Sequence, residues 1–541
     1  MFKKAILLII TIFQANAQIS ESLGVTINTE FNELSPIISP DGKTLIFSRV
    51  SHPSNAFGTK GSQDIWYSEN FGDMDWSIAR RMANNVNVEQ YNIPYSISPD
   101  GNTMLVSGAF DNGQYLTRGF SLVKKAKNGW SVPQMLKIPK LDEMSKGMYM
   151  SGFLANNGKT IIMAFSEKKD SKNDDLYISF LSKNGLWSKP EYISMINSDN
   201  VETTPFLASD GTSLYFSSDR KGGLGGKDIW VSKRLDKTWR KWSKPTNLGD
   251  QINTDENELY FSIAASGEFG YMSSSKGSIG KNDLFRIRLR ETAPIKNAVS
   301  AAGSSSSQEV DTRTAQEKAN EKTVANIETT TPEPVVLIKG KVIDTKTGKP
   351  IEAKIVYETL PDGDEVGVAT SNPITGEYTI VLPVGKKYSF RAEAPNFLAV
   401  GDNIDLVNVK DYTELGGKEL KLVPNEVGAT VVLNNIFFEF GKSELRFESY
   451  PELDRVADIL FQNSGLVIEI GGHTDNVGSN TTNLKLSQER ADAVKNYLLT
   501  KKVPPLRVSS KGFGESKPID DNLTITGQAN NRRVEFTVIR K

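Results

Sequence analysis

The sequence predicts a multidomain fold: an all-β propeller of five blades, with a sixth left open, then a small all-β sandwich, then an α+β domain. Three observations predict it. A turn phrase followed by a β-rich run recurs through the first half. Strand-like runs divided by Gly and Pro turns return after a polar, low-complexity stretch. The last part changes rhythm and mixes strands with helical spacing. At 541 residues the chain also exceeds the roughly 250 to 300 residues at which one hydrophobic core stops growing.

Residues 1–17 read as a secretory signal. Lys3 and Lys4 form the charged start, Ala5 to Phe13 the short apolar stretch and Ala15-Asn16-Ala17 the small-residue cleavage site, so the mature chain begins at Gln18. The apolar stretch is shorter than the about 20 residues needed to span a bilayer. Cysteine is absent, which excludes disulfides, thiolate zinc sites and a lipid-bearing cysteine. Lys+Arg 64 against Asp+Glu 65 leaves a net charge of -1, without the clustered basic surface of a nucleic-acid binder.

Residues 18–290 carry the repeats. The turn phrase reads Ser39-Pro40-Asp41-Gly42, Ser98-Pro99-Asp100-Gly101, Ala155-Asn156-Asn157-Gly158, Ala208-Ser209-Asp210-Gly211 and Ala265-Ser266-Gly267, its glycines 59, 57, 53 and 56 residues apart. A second signal of Asp-apolar-aromatic type follows at Asp64, Asp175, Asp228 and Asp283, and a Trp-Ser phrase at Trp76, Trp130, Trp187 and Trp242. Each unit so holds about four short strands, one blade, and blades stack because a four-stranded sheet cannot bury both faces alone. The last unit lacks the Trp-Ser phrase, and Ile19 to Val25 supplies the missing strand. The glycine-rich Lys221–Lys227 and Lys276–Lys281 segments lie between strands without P-loop spacing, so they read as hairpin connections. The tryptophans read as blade packing rather than ligand stacking. These phrases resemble propeller repeats of the TolB type.

Residues 291–334 turn to Ala, Ser, Thr, Glu and Lys and read as a flexible linker, averaging on the order of 35 Å end to end. Residues 335–424 return to strands, divided by turns such as Thr347-Gly348-Lys349-Pro350 and Pro361-Asp362-Gly363, and predict a small antiparallel sandwich. The order of its phrases resembles the carboxypeptidase-regulatory-like module, an accessory domain that implies no peptidase. The only histidines, His52 and His473, lie in different domains and form no zinc site.

Residues 425–541 predict strand Val431–Phe440, helix Ser443–Gln462, strand Leu466–Ile470, a second helix capped by Ser487, and a last strand Val534–Ile539. The motifs Gly472-His473-Thr474-Asp475-x-x-Gly478, Asn483, Leu486-Ser487-x-x-Arg490-Ala491, Gly512-x-Gly514 and Asn531-Arg532-Arg533-Val534-Glu535 resemble the OmpA C-terminal domain. That resemblance implies peptidoglycan binding through the diaminopimelate of its stem peptide. Asp475, just past a strand end, suits the ligand's ammonium. Arg490, expected in a first helical turn that already favours anions, suits its carboxylate. Asn483 and Thr474 match further family positions. No metal, cofactor or catalytic residue is assigned. His473 reads as structural, and Arg532 and Arg533 either line the pocket or pack the last strand.

The domain order resembles envelope proteins of the Bacteroidetes kind, some of which serve type IX secretion and gliding. It implies a noncatalytic periplasmic adaptor, associated with the outer membrane and fixed to peptidoglycan. Its propeller would meet an outer-membrane β-barrel or a secretion-complex protein. The rival readings make the propeller an enzyme, or a ligand sensor, localised by the C-terminal domain.

Overall fold

The structure is a computed structural model and describes residues 20–289, 330–439 and 441–541. The signal segment, and the linker up to residue 329, lie outside the described residues. Most of the regular structure described is β-strand, in many small sheets, with few helices.

Five sheets follow one another up to Arg288. Each opens with one strand, Asn32–Ile38, Pro94–Ile97, Met150–Leu154, Glu202–Leu207 and Glu258–Ile263, and continues antiparallel. The first strand of every sheet touches the first strand of the next, and the fifth touches the first. Glu21–Ser22 supplies the outer strand of the fifth sheet, with Glu21 opposite Arg286. Sheets covered on both faces need apolar strands, and Thr160–Phe165 is buried along its whole length.

The repeated turn explains itself. Gly42, Gly101, Gly158, Gly211 and Gly267 all sit at φ between 61° and 70°, a conformation costly for any residue with a Cβ. Asp41 and Asp100 brace it, each accepting the Ser hydroxyl two residues earlier and the backbone N–H two residues later. Trp66, Trp76, Trp187, Trp230 and Trp242 are buried in the packing between strands. In the Lys221–Lys227 segment the amides of Leu224 and Gly225 point at Asp228, so they hold the hairpin.

A second repeat escapes a reading by turns and aromatics. Glu33, Glu202 and Glu258 are buried, and each accepts from a hydroxyl four residues earlier: Thr29 at 2.6 Å, Ser198 at 2.6 Å and Thr254 at 2.7 Å. Arg49 and Arg220 close two of these sites as ion pairs of 2.8 and 2.9 Å.

In residues 335–424, two four-stranded sheets face each other across a core containing Ile338, Ile355, Tyr357, Ile380, Phe390 and Leu420. The pairing is not wholly antiparallel as expected. Val335–Asp344 and Thr413–Pro424 run parallel, because the last strand crosses back to lie beside the first.

This middle domain rests on the repeated turns. Asn102 donates to Thr370 O, Asn156 O accepts the Val368 N–H, and Asp210 accepts the Glu333 N–H at 3.0 Å. Ala265 packs with Val335, Leu337 and Val381, and Lys159 pairs with Glu365 at 2.6 Å. On its other side Glu358 joins Arg391 to Arg455 of the C-terminal domain.

The C-terminal domain has one sheet, in the order Thr430–Val432, Val534–Arg540, Val467–His473, Val508–Gly514. Helices Tyr450–Gln462 and Asn480–Thr500 share its core through Leu453, Val456, Leu460, Ala491, Val494 and Leu498. The first strand stops at Val432, short of the expected Phe440. The first helix begins at Tyr450 instead of Ser443, with Pro451 in its opening turn and Ser449 turned away to bond Phe437. Among the described residues no helix is long and apolar enough to cross a membrane.

Candidate functional site

Strand Val467–His473 pairs in parallel with Val508–Gly514, and helix Asn480–Thr500 lies across the ends of both. Glycine makes this approach possible. A Cβ on Gly472 would stand 2.1 Å from Ser487 O, and one on Gly512 would stand 2.5 Å from Gln488 N. The contact is then pinned: the Ser487 hydroxyl accepts the Gly514 N–H at 2.8 Å and donates to Leu484 O.

Ser487 is therefore buried inside the helix and does not cap it, contrary to the sequence expectation. Ser479 caps, accepting the Thr482 N–H at 3.2 Å. Arg490 consequently lies about three turns into the helix, beyond the reach of its positive end. An anion at Arg490 must be held by the guanidinium itself.

Thr474 and Asp475 follow the strand end. The Thr474 N–H donates to Gly514 O at 3.0 Å, while its hydroxyl is buried without a partner. Asp475, 8% exposed, accepts the Val477 N–H at 3.1 Å on Oδ1 and Arg532 Nη1 at 2.6 Å on Oδ2. Asn483 Nδ2 donates to Asp475 O at 3.3 Å and to Glu515 Oε2 at 2.6 Å, so it ties the loop to the helix. These three residues come together as expected.

Arg490 stands apart from their hydrogen bonds. Its Nε donates to Lys442 O at 3.1 Å, and its guanidinium lies 4.9 Å from the Phe438 ring centre. It forms no ion pair with a carboxylate among the described residues. Burial lowers its pKa, nearby Arg532 lowers it further, and Asp475 opposes both. The site thus sets Asp475 near two guanidiniums, and a group bearing one cation and one anion would complement it.

Sequence reasoning left Arg532 undecided and missed Glu515, Lys442 and Phe438. Arg532 was within reach, since it lies in the Asn-Arg-Arg motif; the other three carry no motif signal. His473 has an acidic neighbour that was also missed. It stacks on Phe513 with ring centres 5.0 Å apart, and its Nε2 lies 3.1 Å from Glu535 Oε1, although the angle is too poor for a hydrogen bond. Burial raises the Glu535 pKa, but His473 and Arg533 more than offset this and leave it lowered. Among the described residues no group of three His, Cys, Asp or Glu side chains could hold a metal ion.

A mixed sheet with two helices packed on it, a strand-end acid and an arginine on the crossing helix define a small α+β domain. The OmpA family model matches residues 437–532, and the C-terminal domain is an OmpA-family domain. Outer membrane porin F of Pseudomonas fluorescens is 43% identical over 104 residues, 19% of this chain and 32% of the porin. Outer membrane protein A of Bordetella avium is 40% identical over 117 residues, 21% of this chain and 60% of that protein. The cell wall anchor of the type VI secretion system from Pseudomonas aeruginosa shares 32% identity over 21% of this chain and 80% of its own, with a TM-score of 0.19. The chain spans about a third of the porin it matches.

Proposed function

We propose that the C-terminal domain fixes this protein to peptidoglycan by holding a diaminopimelate-type group, its ammonium at Asp475 and its carboxylate at Arg490. The observation that carries the reading is Arg490 itself: a half-buried guanidinium that, among the described residues, bonds a backbone carbonyl and lies over a ring, near a buried carboxylate. A ligand carboxylate there gains a planar fork of donors. The ligand's ammonium displaces Arg532 from Asp475, so the buried carboxylate exchanges one cation for another and the Arg532 side chain, already 44% exposed, returns to solvent. Thr474, with its unpartnered hydroxyl, and Asn483 complete the site. The outer-membrane names of the relatives agree with an envelope location.

The reading extends to the rest of the chain. The five sheets form a five-bladed propeller, with Glu21–Ser22 closing the ring, and the middle domain is a carboxypeptidase-regulatory-like spacer. The protein is a noncatalytic adaptor of the periplasm, processed after Ala17. Its propeller meets an outer-membrane β-barrel or a secretion-complex protein, of the type IX or gliding kind. The test is sedimentation of the full chain with purified diaminopimelate-type peptidoglycan. Binding that is lost in Asp475→Ala and in Arg490→Ala supports the reading. A folded native chain that stays in the supernatant refutes it.

A further inference from the structure

The beginnings of four of the five first strands line a cavity of about 750 Å³, at Tyr95, Ser151, Thr203 and Tyr260. The turns that carry the middle domain follow the other ends of those strands, so the cavity opens away from that domain. Tyr91, Tyr115 and Tyr149 stand at its mouth and are 57%, 43% and 53% exposed.

Inside lies an acid that the fold leaves unanswered. Asp64, Asp228 and Asp283, the counterparts of its neighbour Asp175, stand at or near strand starts, and each is bonded to backbone amides or a cation. Asp174 lines the cavity and is 2% exposed. Among the described residues its Oδ2 receives only the Thr203 hydroxyl at 3.4 Å, and its Oδ1 is buried with no partner. Burial pushes its pKa up to about 7. A buried polar atom without a partner is costly, and such groups concentrate where a ligand supplies the missing bond.

The surroundings narrow the ligand. Arg118 and Lys227 already act on Asp174 as positive charges, so a further cation meets repulsion and a neutral hydroxyl or amide donor does not. Arg118 is committed to the carbonyls of Ser145, Gly147 and Tyr149. Lys172 and Lys227 line the same cavity and form no ion pair among the described residues, which leaves two ammonium groups for an anion. The exposed tyrosine faces suit the C–H face of a sugar ring.

We propose that this cavity binds an acidic oligosaccharide of about two rings. Its hydroxyls donate to Asp174, its rings lie on the mouth tyrosines, and its carboxylate meets Lys172 and Lys227. The proposal goes beyond wall anchoring and does not depend on it.

The test is calorimetric titration of the full chain with three disaccharides and trilysine. N-acetylglucosaminyl-N-acetylmuramic acid represents a wall sugar without its stem peptide, so the C-terminal site plays no part. Digalacturonic acid represents another acidic source, and N,N′-diacetylchitobiose is neutral. At least one acidic disaccharide binds, and whichever binds tighter identifies the source; chitobiose binds at least tenfold more weakly. Asp174→Ala lowers the affinity at least tenfold, and Lys172→Ala with Lys227→Ala removes the preference for acid. Asp174→Leu, checked by thermal melting, serves if the alanine variant does not fold, and it too loses the affinity. The proposal is overturned if no disaccharide binds, if acidic and neutral sugars bind alike, if the Asp174 variants bind as the native chain does, or if trilysine binds in place of the sugars.

Discussion

In the N-terminal sheets Glu33 is buried against Arg49, and Glu202 against Arg220, each carboxylate also receiving a hydroxyl. In the C-terminal domain Arg490 is half-buried with a carbonyl and a ring for company, and Asp475 leans on an arginine that is 44% exposed. Both regions use the same residue types. The difference lies in closure: ion pairs that satisfy each other hold a fold together, and charged groups left partly open are free to meet something else. Asp174 belongs with the second kind although it sits among the first.

Breaking one closed pair gives the largest effect. Arg49→Ala strands Glu33 in the interior and is expected to cost about 3 to 5 kcal/mol of stability by chemical denaturation. If the cost is near zero, the contrast with Arg490 disappears. Gly472→Ala comes next. Its Cβ would press on Ser487 O, and moving the helix away costs about 1 to 3 kcal/mol while displacing Arg490 from Asp475.

Asp174 sharpens the comparison through pH. Its folded pKa, raised to about 7, lies above the ordinary carboxylate value, so the folded state holds the proton more tightly than the unfolded chain does. Its contribution to stability is therefore greatest in acid, falls as pH rises from about 4 to about 7, and is level above that, a change of at most about 4 kcal/mol. Asp174→Asn removes this slope in denaturation curves measured across the range. Arg532→Ala gives the smallest effect, about 1 kcal/mol of stability, because the arginine end of the pair is 44% exposed and the buried Asp475 end keeps the Val477 amide.

Much of this was legible in the sequence, and the rest was not for physical reasons. The repeated glycines announced positive φ, and three of the four Trp-Ser phrases, at Trp76, Trp187 and Trp242, announced buried rings, while Trp130 is only partly buried. Thr474, Asp475 and Asn483 came together because one strand end and one loop hold all three. The start of the long helix was misplaced: Thr481 and Thr482 are poor helix formers, and Ser487 has the look of a cap although its hydroxyl is spent on Gly514. The pairing of Asp475 with Arg532, 57 residues away, depends on how the last strand lies in the sheet. The seat of the middle domain on the repeated turns depends on loop surfaces that no periodicity encodes.

The most direct measurement of the central claim is binding of the full chain to purified diaminopimelate-type peptidoglycan, with Asp475→Ala and Arg490→Ala beside it. The account predicts that the native chain binds and that each variant loses affinity by at least about tenfold while melting within a few degrees of it. Native binding that survives both substitutions, or a folded native chain that does not bind, would contradict it.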